Sequence, residues 1–196
     1  MPYKFKFKIN DMIYFESNLT CLRCIGHNKN GRECSRKVCI GVPYCFQHLQ
    51  SVKHLKIKVS TIPAYGKGLF VWDNQKGNDE IIFKKGDIII NYVGEHINFN
   101  TLENRYGEYT GPYVMYFKKN EYIDPATKRG IGSLVNHSNN RQKINCEFIS
   151  VFNRKPQEVK IRATKDIKNH EELYINYGSD YHFNEPTSYI TKYFTN

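Results

Sequence analysis

Gly130-Ile131-Gly132-Ser133-Leu134-Val135-Asn136-His137-Ser138 sets an amide and an imidazole directly after a run of small and apolar residues. Side chains with so many hydrogen-bonding atoms are rarely buried without partners, so the run marks a place where something is held. Downstream, Glu171-Glu172-Leu173-Tyr174-Ile175-Asn176-Tyr177-Gly178 has apolar or aromatic residues at 173, 175 and 177 and closes on glycine. That is the pattern of a strand ending in a turn.

Together the two stretches resemble the paired signature of the SET-domain protein methyltransferases, Asn-His-Ser followed by Glu-Leu-x-x-x-Tyr. The resemblance implies a mainly β fold with short helices, the SET β-clip, in which these segments pass one through the other as a pseudoknot. It implies a protein-lysine N-methyltransferase with S-adenosylmethionine as cofactor. On this resemblance Asn136 and His137 bind the cofactor, and Tyr177 is catalytic, its hydroxyl directed at the reacting amine and methyl. Ile175 lies where many relatives carry Phe or Tyr, which leaves the number of methyl groups open.

Outward toward the N-terminus, Leu55, Ile57 and Val59 alternate with Lys56 and Lys58, and Gly66-Lys67-Gly68-Leu69-Phe70 follows. A lone Gly-x-Gly is a weak signal, because turns use it everywhere. The resemblance makes it the turn whose backbone approaches the cofactor, and assigns Lys67, Gly68 and Leu69 to that site, mostly through main-chain atoms. Trp72 to Glu80 reads as a polar loop, and Ile88-Ile-Ile-Asn-Tyr92-Val-Gly94-Glu95 as an apolar strand. The resemblance sets Tyr92 near the lysine channel as a second catalytic residue; a strand aromatic packed in the core fits the same pattern. Residues 96–111 carry Leu102, Tyr106 and Tyr109 at nearly helical intervals, and Tyr113, Tyr116 and Phe117 suggest a strand.

Toward the C-terminus, Asn145-Cys146-Glu147-Phe148 resembles a further family step, and the resemblance places Phe148, Ile175 and Tyr181 along the substrate channel. Val159, Ile161 and Ala163 alternate with Lys160 and Arg162. The chain departs from the family in two ways. Asn169-His170 occupies a turn where glycine is usual, and Asn139 stands where many relatives carry the cysteine of a second zinc cluster. That second cluster is not expected. Residues 179–196 are rich in aromatics, and Tyr181 and Phe183 suit a lid over the site or packing on the core.

Near the N-terminus, Tyr3, Phe5, Phe7 and Ile9 alternate with lysines, which predicts a half-buried strand over 3–15. Five of the six cysteines follow between 21 and 45. In a reducing compartment such clustering speaks for metal rather than disulfides. The segment resembles a small zinc module of large DNA viruses and protists with three cysteines and one histidine. The resemblance implies Cys24, Cys34, Cys45 and His48 as ligands of a structural zinc, leaving Cys21 and Cys39 spare. Cys21, Cys24, Cys45 and His48 form a rival set, since two short knuckles can also build a tetrahedron.

The expected organisation is an N-terminal strand segment at 1–20, a zinc module at 21–50, a SET domain at 55–182 and a tail at 183–196. The chain has 196 residues, 29 Lys plus Arg against 19 Asp plus Glu, a net charge of +10 and a pI near 9.2. Such a surface attracts acidic partners, nucleic acid and nucleosomes among them. No run of eighteen apolar residues occurs and the first residues lack a signal peptide's apolar core, so an intracellular protein of nucleus or cytoplasm is expected, without a membrane partner. A histone or other basic tail is the substrate class the resemblance implies, and the module combination suggests a virus-encoded modifier of host chromatin. The other function class is a non-catalytic protein- or nucleic-acid-binding module on the same scaffold.

Overall fold

The structure, a computed structural model, describes residues 3–9, 12–19, 21–39, 42–63, 65–107, 111, 113–128, 130–152 and 157–178; for 3–9, 12–19 and 127–128 it describes the backbone alone. Tyr109, Tyr181, Phe183 and the tail at 183–196 lie outside the described residues. Mainly β structure with short helices is what the chain adopts.

The single strand expected over 3–15 is instead two, Tyr3–Ile9 and Met12–Leu19, paired antiparallel with a bulge at Phe7/Lys8. Asn10-Asp11, two residues favoured in turns, interrupt the alternation between them. Next, the short strands Leu22–Arg23 and Lys37–Val38 pair, and the helix Phe46–Lys53 ends at His54, which adopts the left-handed conformation (φ 52°).

Among the described residues five small sheets carry the larger domain, one of them the parallel pair at the site. Leu55–Val59 pairs antiparallel with Lys67–Val71, and Ile81–Phe83 with Ile167–Lys168. Ile88–Tyr92, Glu158–Ala163 and Cys146–Val151 form a three-stranded sheet with Glu158–Ala163 in the middle. In this central strand Val159, Ile161 and Ala163 are buried between half-buried Lys160 and Arg162, as period-two patterning requires. Glu95–Ile97, Glu121–Asp124 and Met115–Lys118 make the fourth sheet. The core that unites these sheets includes Leu55, Leu69, Val71, Ile161, Ile167 and Leu173, all fully buried.

The helix Phe99–Tyr106 has Asn98 as its N-cap, accepting from the Thr101 N–H at 2.9 Å. Its far end is anchored from inside: Arg105 pairs with Asp124 and Glu95, each at 2.8 Å, and the Tyr106 hydroxyl donates to Asp124 at 2.9 Å. Asp124 is fully buried and also caps the Pro125–Lys128 turn of helix by accepting the Ala126 N–H.

A 3-10 turn over Ile131–Leu134 then delivers the Asn136–His137 strand. Gly130 makes this path possible, because any Cβ there would overlap the Val93 carbonyl oxygen. Among the described residues no helix is long and apolar enough to cross a membrane.

Candidate active site and Cys/His cluster

The two stretches singled out in the sequence meet directly. Asn136–His137 pairs in parallel with Tyr174–Ile175, and the Ser138 N–H donates to the Ile175 carbonyl at 3.1 Å. On another side the returning segment is stitched to Lys67–Val71: Val71 N–H donates to the Glu171 carbonyl at 2.9 Å and Leu173 N–H to the Leu69 carbonyl at 2.8 Å. Asn145, buried, holds it again, with its amide donating to the Glu172 carbonyl and its Oδ1 accepting the Tyr174 N–H, both at 2.9 Å. Residues 171–175 thus run between segments from three distant parts of the chain.

This threading sets Tyr177 beside His137. The Tyr177 N–H donates to His137 Nδ1 at 3.0 Å, so the imidazole carries its proton on Nε2, facing Asn139 Oδ1 at 2.8 Å. The Tyr177 hydroxyl donates to the Val135 carbonyl at 2.6 Å, and the two rings lie 5.3 Å apart. A phenol whose proton is committed in this way keeps its oxygen lone pairs for acceptance.

Beneath the turn at 66–68 lies a carboxylate to which the sequence assigned no role. Glu172 Oε1 accepts from Ser60 Oγ at 2.7 Å and Asn136 Nδ2 at 3.1 Å; its Oε2 accepts from the Thr61 N–H at 2.7 Å, Thr61 Oγ1 at 2.8 Å and the Tyr174 hydroxyl at 2.6 Å. Burial pushes this carboxyl up, but the hydrogen bonds from Tyr174, Thr61, Ser60 and Asn136 outweigh it and hold it below the ordinary carboxyl range. Tyr174 moves the opposite way, its hydroxyl pushed up to about 12 by burial and by Glu172. Gly68 is required here, since a Cβ would run into the Glu172 carboxylate. The Asn136 amide also reaches the Lys67 carbonyl at 3.2 Å, so one side chain ties the Gly-x-Gly turn to the buried acid.

Of the cofactor assignments, Lys67 is exposed, Gly68 lies against Glu172 and Asn136, and Leu69 is turned wholly into the core with its carbonyl taken by Leu173. Tyr92 and Phe148 meet edge to face at 5.3 Å, and the Tyr92 hydroxyl donates to the Tyr113 carbonyl. Ile175 is buried in the same apolar cluster, against which Phe148 and Tyr177 pack. Burial pushes the Cys146 thiol up, which makes it an unreactive core group.

In the N-terminal module the ligand atoms of Cys24, Cys34, Cys45 and His48 all lie within 4.8 Å of one another, and all four residues are buried. His48 Nδ1 is 3.2 Å from Cys24 Sγ and 3.5 Å from Cys45 Sγ, while Nε2 faces the His27 carbonyl at 2.9 Å, the partner that orients a metal-ligating imidazole. Burial raises the Cys45 thiol, yet the His48 N–H at the start of the helix, the Arg36 guanidinium and Cys24 outweigh it and bring it down to about 6. Cys24 is raised, chiefly by burial.

The rival ligand set is not assembled, because Cys21 is bonded to Cys39 in a disulfide. For Cys21 and Cys39 alone this corrects the expectation of metal rather than disulfides. Its cause is local register: Leu22 opposite Val38 brings Cys21 opposite Cys39, with Cα atoms 4.4 Å apart.

A family model described as SET domain matches residues 81–178, half of the chain. The chain is 33% identical over 145 residues to the histone-lysine N-methyltransferase, H3 lysine-36 specific, of Chaetomium globosum, covering 71% of this chain and 15% of that protein. It is 33% identical over 98 residues to the protein of the same description from Cryptococcus neoformans var. neoformans serotype D, covering 47% and 11%. The chain therefore spans about a ninth of that relative's length. Among solved structures it is similar to the crystal structure of the Chaetomium thermophilum polycomb repressive complex 2, with a TM-score of 0.54 and 23% identity over 65% of this chain and 15% of that one.

Proposed function

Because the chain belongs to the SET-domain family, we propose that it transfers a methyl group from S-adenosylmethionine to a lysine amine, with a histone tail as substrate class. The observation that carries this reading is the parallel pairing of Asn136–His137 with Tyr174–Ile175, which brings Tyr177 against His137 behind the Gly-x-Gly turn. The residues suit the cofactor: Lys67 is exposed, and the Asn136 amide ties its carbonyl to the neighbourhood of His137, while Gly68 packs on Glu172 behind it. Leu69 contributes through its place in the strand rather than through its side chain. When bound, the cofactor supplies an electrophilic methyl on a sulfonium.

The protein's own task is to hold an unprotonated amine in line with that methyl, which needs alignment and no covalent intermediate. Deprotonating a lysine of pKa about 10.4 at pH 7 costs on the order of 4 to 5 kcal/mol. An apolar channel walled by Tyr92, Phe148 and Ile175 lowers that cost by disfavouring the ammonium. Tyr177, its hydroxyl donating to the Val135 carbonyl, accepts toward the amine and methyl. Tyr92, its hydroxyl donating to the Tyr113 carbonyl, borders the same channel.

Cys24, Cys34, Cys45 and His48 would hold one structural zinc; three thiols and an imidazole suit that ion and leave no open position for catalysis. The nucleus is the compartment this substrate class implies. Viral origin rests on the zinc-module resemblance alone.

The test is transfer of labelled methyl to core histones and nucleosomes by the wild type and Tyr177→Phe. Labelling should fall at least ~100-fold in the variant, while the lost hydrogen bond costs about 1 kcal/mol of stability. Equal labelling by both proteins would remove Tyr177 from the reaction. Absence of cofactor binding by calorimetry would replace the enzyme with the scaffold reading.

A further inference from the structure

The face of the Leu55–Val59/Lys67–Val71 hairpin turned away from the core gathers cations around the chain's one tryptophan. Lys56 Nζ lies 3.7 Å and Lys58 Nζ 4.6 Å from the centre of the Trp72 ring, and the His170 ring stacks on it at 3.9 Å. The register explains the grouping: Lys56 opposes Phe70, Lys58 opposes Gly68 and His54 meets Trp72, so their side chains share one face.

This arrangement is held from several directions. The Trp72 indole N–H donates to Asn74 Oδ1 at 2.7 Å, and Asn169 fixes the chain beyond it by accepting the Asp73 N–H and donating to the Asp73 carbonyl, both at 2.8 Å. His170 adopts φ 69°, a left-handed conformation that glycine would take without strain. The departure from glycine at this turn therefore costs backbone energy and supplies the ring that stacks on Trp72.

Among the described residues no ion pair involves Lys56 or Lys58; of the adjacent Asp73, Oδ1 accepts the Gln75 N–H at 2.8 Å and Oδ2 lies 3.1 Å from His54 Nδ1. Both lysines and Trp72 are partly exposed. Two cations held by an aromatic ring, ordered in advance and unneutralised, make a docking point for anions.

We infer that Lys56, Lys58 and Trp72, braced by His170, form a sequence-independent docking surface for the phosphates of duplex DNA. Charge favours this occupant over an acidic protein. A chain of net charge +10 is repelled by a basic tail, and DNA carrying that tail supplies the attraction both lack. Lysines act on phosphate as point charges and present no planar fork to carboxylates or base edges. The choice of partner rests on the histone-tail reading above; the surface itself does not.

The experiment follows Trp72 fluorescence as a mixed-sequence DNA duplex is titrated into the full chain at several salt concentrations. A saturable change is expected, with affinity falling steeply as salt rises. In Lys56→Gln/Lys58→Gln the slope of log affinity against log salt should shrink by about 1.8, from two phosphate contacts at about 0.9 each, and affinity at 0.1 M salt should drop roughly tenfold per lysine. Lys56→Arg/Lys58→Arg should keep the wild-type slope. An unchanged slope in the Gln variant overturns the proposal, as does a Trp72 signal that responds to polyglutamate and not to DNA. Methylation of nucleosomes is measured alongside: if they stay unmethylated while DNA still binds through the lysines, the enzyme reading fails and the docking surface stands.

Discussion

Replacing Glu172 by Gln tests the buried network beneath the Gly-x-Gly turn. Three donors to the carboxylate are unconditional: Ser60 Oγ, the Asn136 amide and the Thr61 N–H. The hydroxyls of Thr61 and Tyr174 add two protons for three contacts, because they also touch each other at 2.6 Å. At least four donors therefore converge on an acceptor that Gln halves. If the new NH₂ faces Thr61, a backbone N–H is left opposed. If it faces Ser60, the hydroxyl can turn to accept, but Asn136 must give up either this contact or its bond to Lys67. Two charge-assisted hydrogen bonds at about 1.5 to 3 kcal/mol each, less what Ser60 recovers, amount to about 2 to 4 kcal/mol.

Urea denaturation should show that loss at pH 7. Its pH dependence has a definite sign. A carboxyl held lower in the folded than in the unfolded chain stabilises above the unfolded value and loses that contribution as pH falls through the folded one. The gap between wild type and variant should therefore close below pH 4.5, the ordinary carboxyl value. A difference under about 0.5 kcal/mol at neutral pH, within the range of surface substitutions, or a gap that widens in acid, would refute the reasoning.

Other outcomes follow from the N-terminal module. Metal analysis of the purified chain should find one zinc per molecule, and Cys34→Ser should lower that occupancy while leaving Cys146 unreactive to thiol reagents; full occupancy in the variant would exclude Cys34 as a ligand. Reduction of Cys21–Cys39, or Cys21→Ser/Cys39→Ser, should cost the module about 3 kcal/mol for a bridge spanning 18 residues, read as a lower denaturation midpoint. An unchanged midpoint would mean that the paired strands hold without it.

The parts legible in the sequence are those written in local periodicity or local spacing. Val159, Ile161 and Ala163 announce a strand, Leu102 and Tyr106 fall within a helix, and Cys24, Cys34, Cys45 and His48 converge as the module resemblance implied. What stayed hidden depends on distant partners. Glu172 stood in plain view, yet Ser60 and Thr61 lie 112 and 111 residues away, and no pattern around 172 names them. Asn145 likewise looked like one step in a motif, although its side-chain amide holds the backbone at Glu172 and Tyr174 while its main-chain carbonyl accepts the Thr164 N–H. The disulfide was missed because compartment chemistry was weighed and strand register, which decides it, was not available.

The three-way stitching of residues 171–175 also dictates the order in which the molecule can assemble. The Tyr177–His137 hydrogen bond spans 40 residues and the Ser60–Glu172 bond 112, whereas Leu55–Val59 and Lys67–Val71 join through a short connection. Non-local contacts require the entropy of long loops to be lost before they return any stability, so they form late. Lys67–Val71 and the Asn136–His137 strand must already be in place when the segment at 171–177 arrives to lie between them. Tyr177 rides on that last arrival. A nascent chain whose residues beyond 170 are still inside the ribosome can hold a folded Cys/His module and sheet, while His137 still waits for Tyr177.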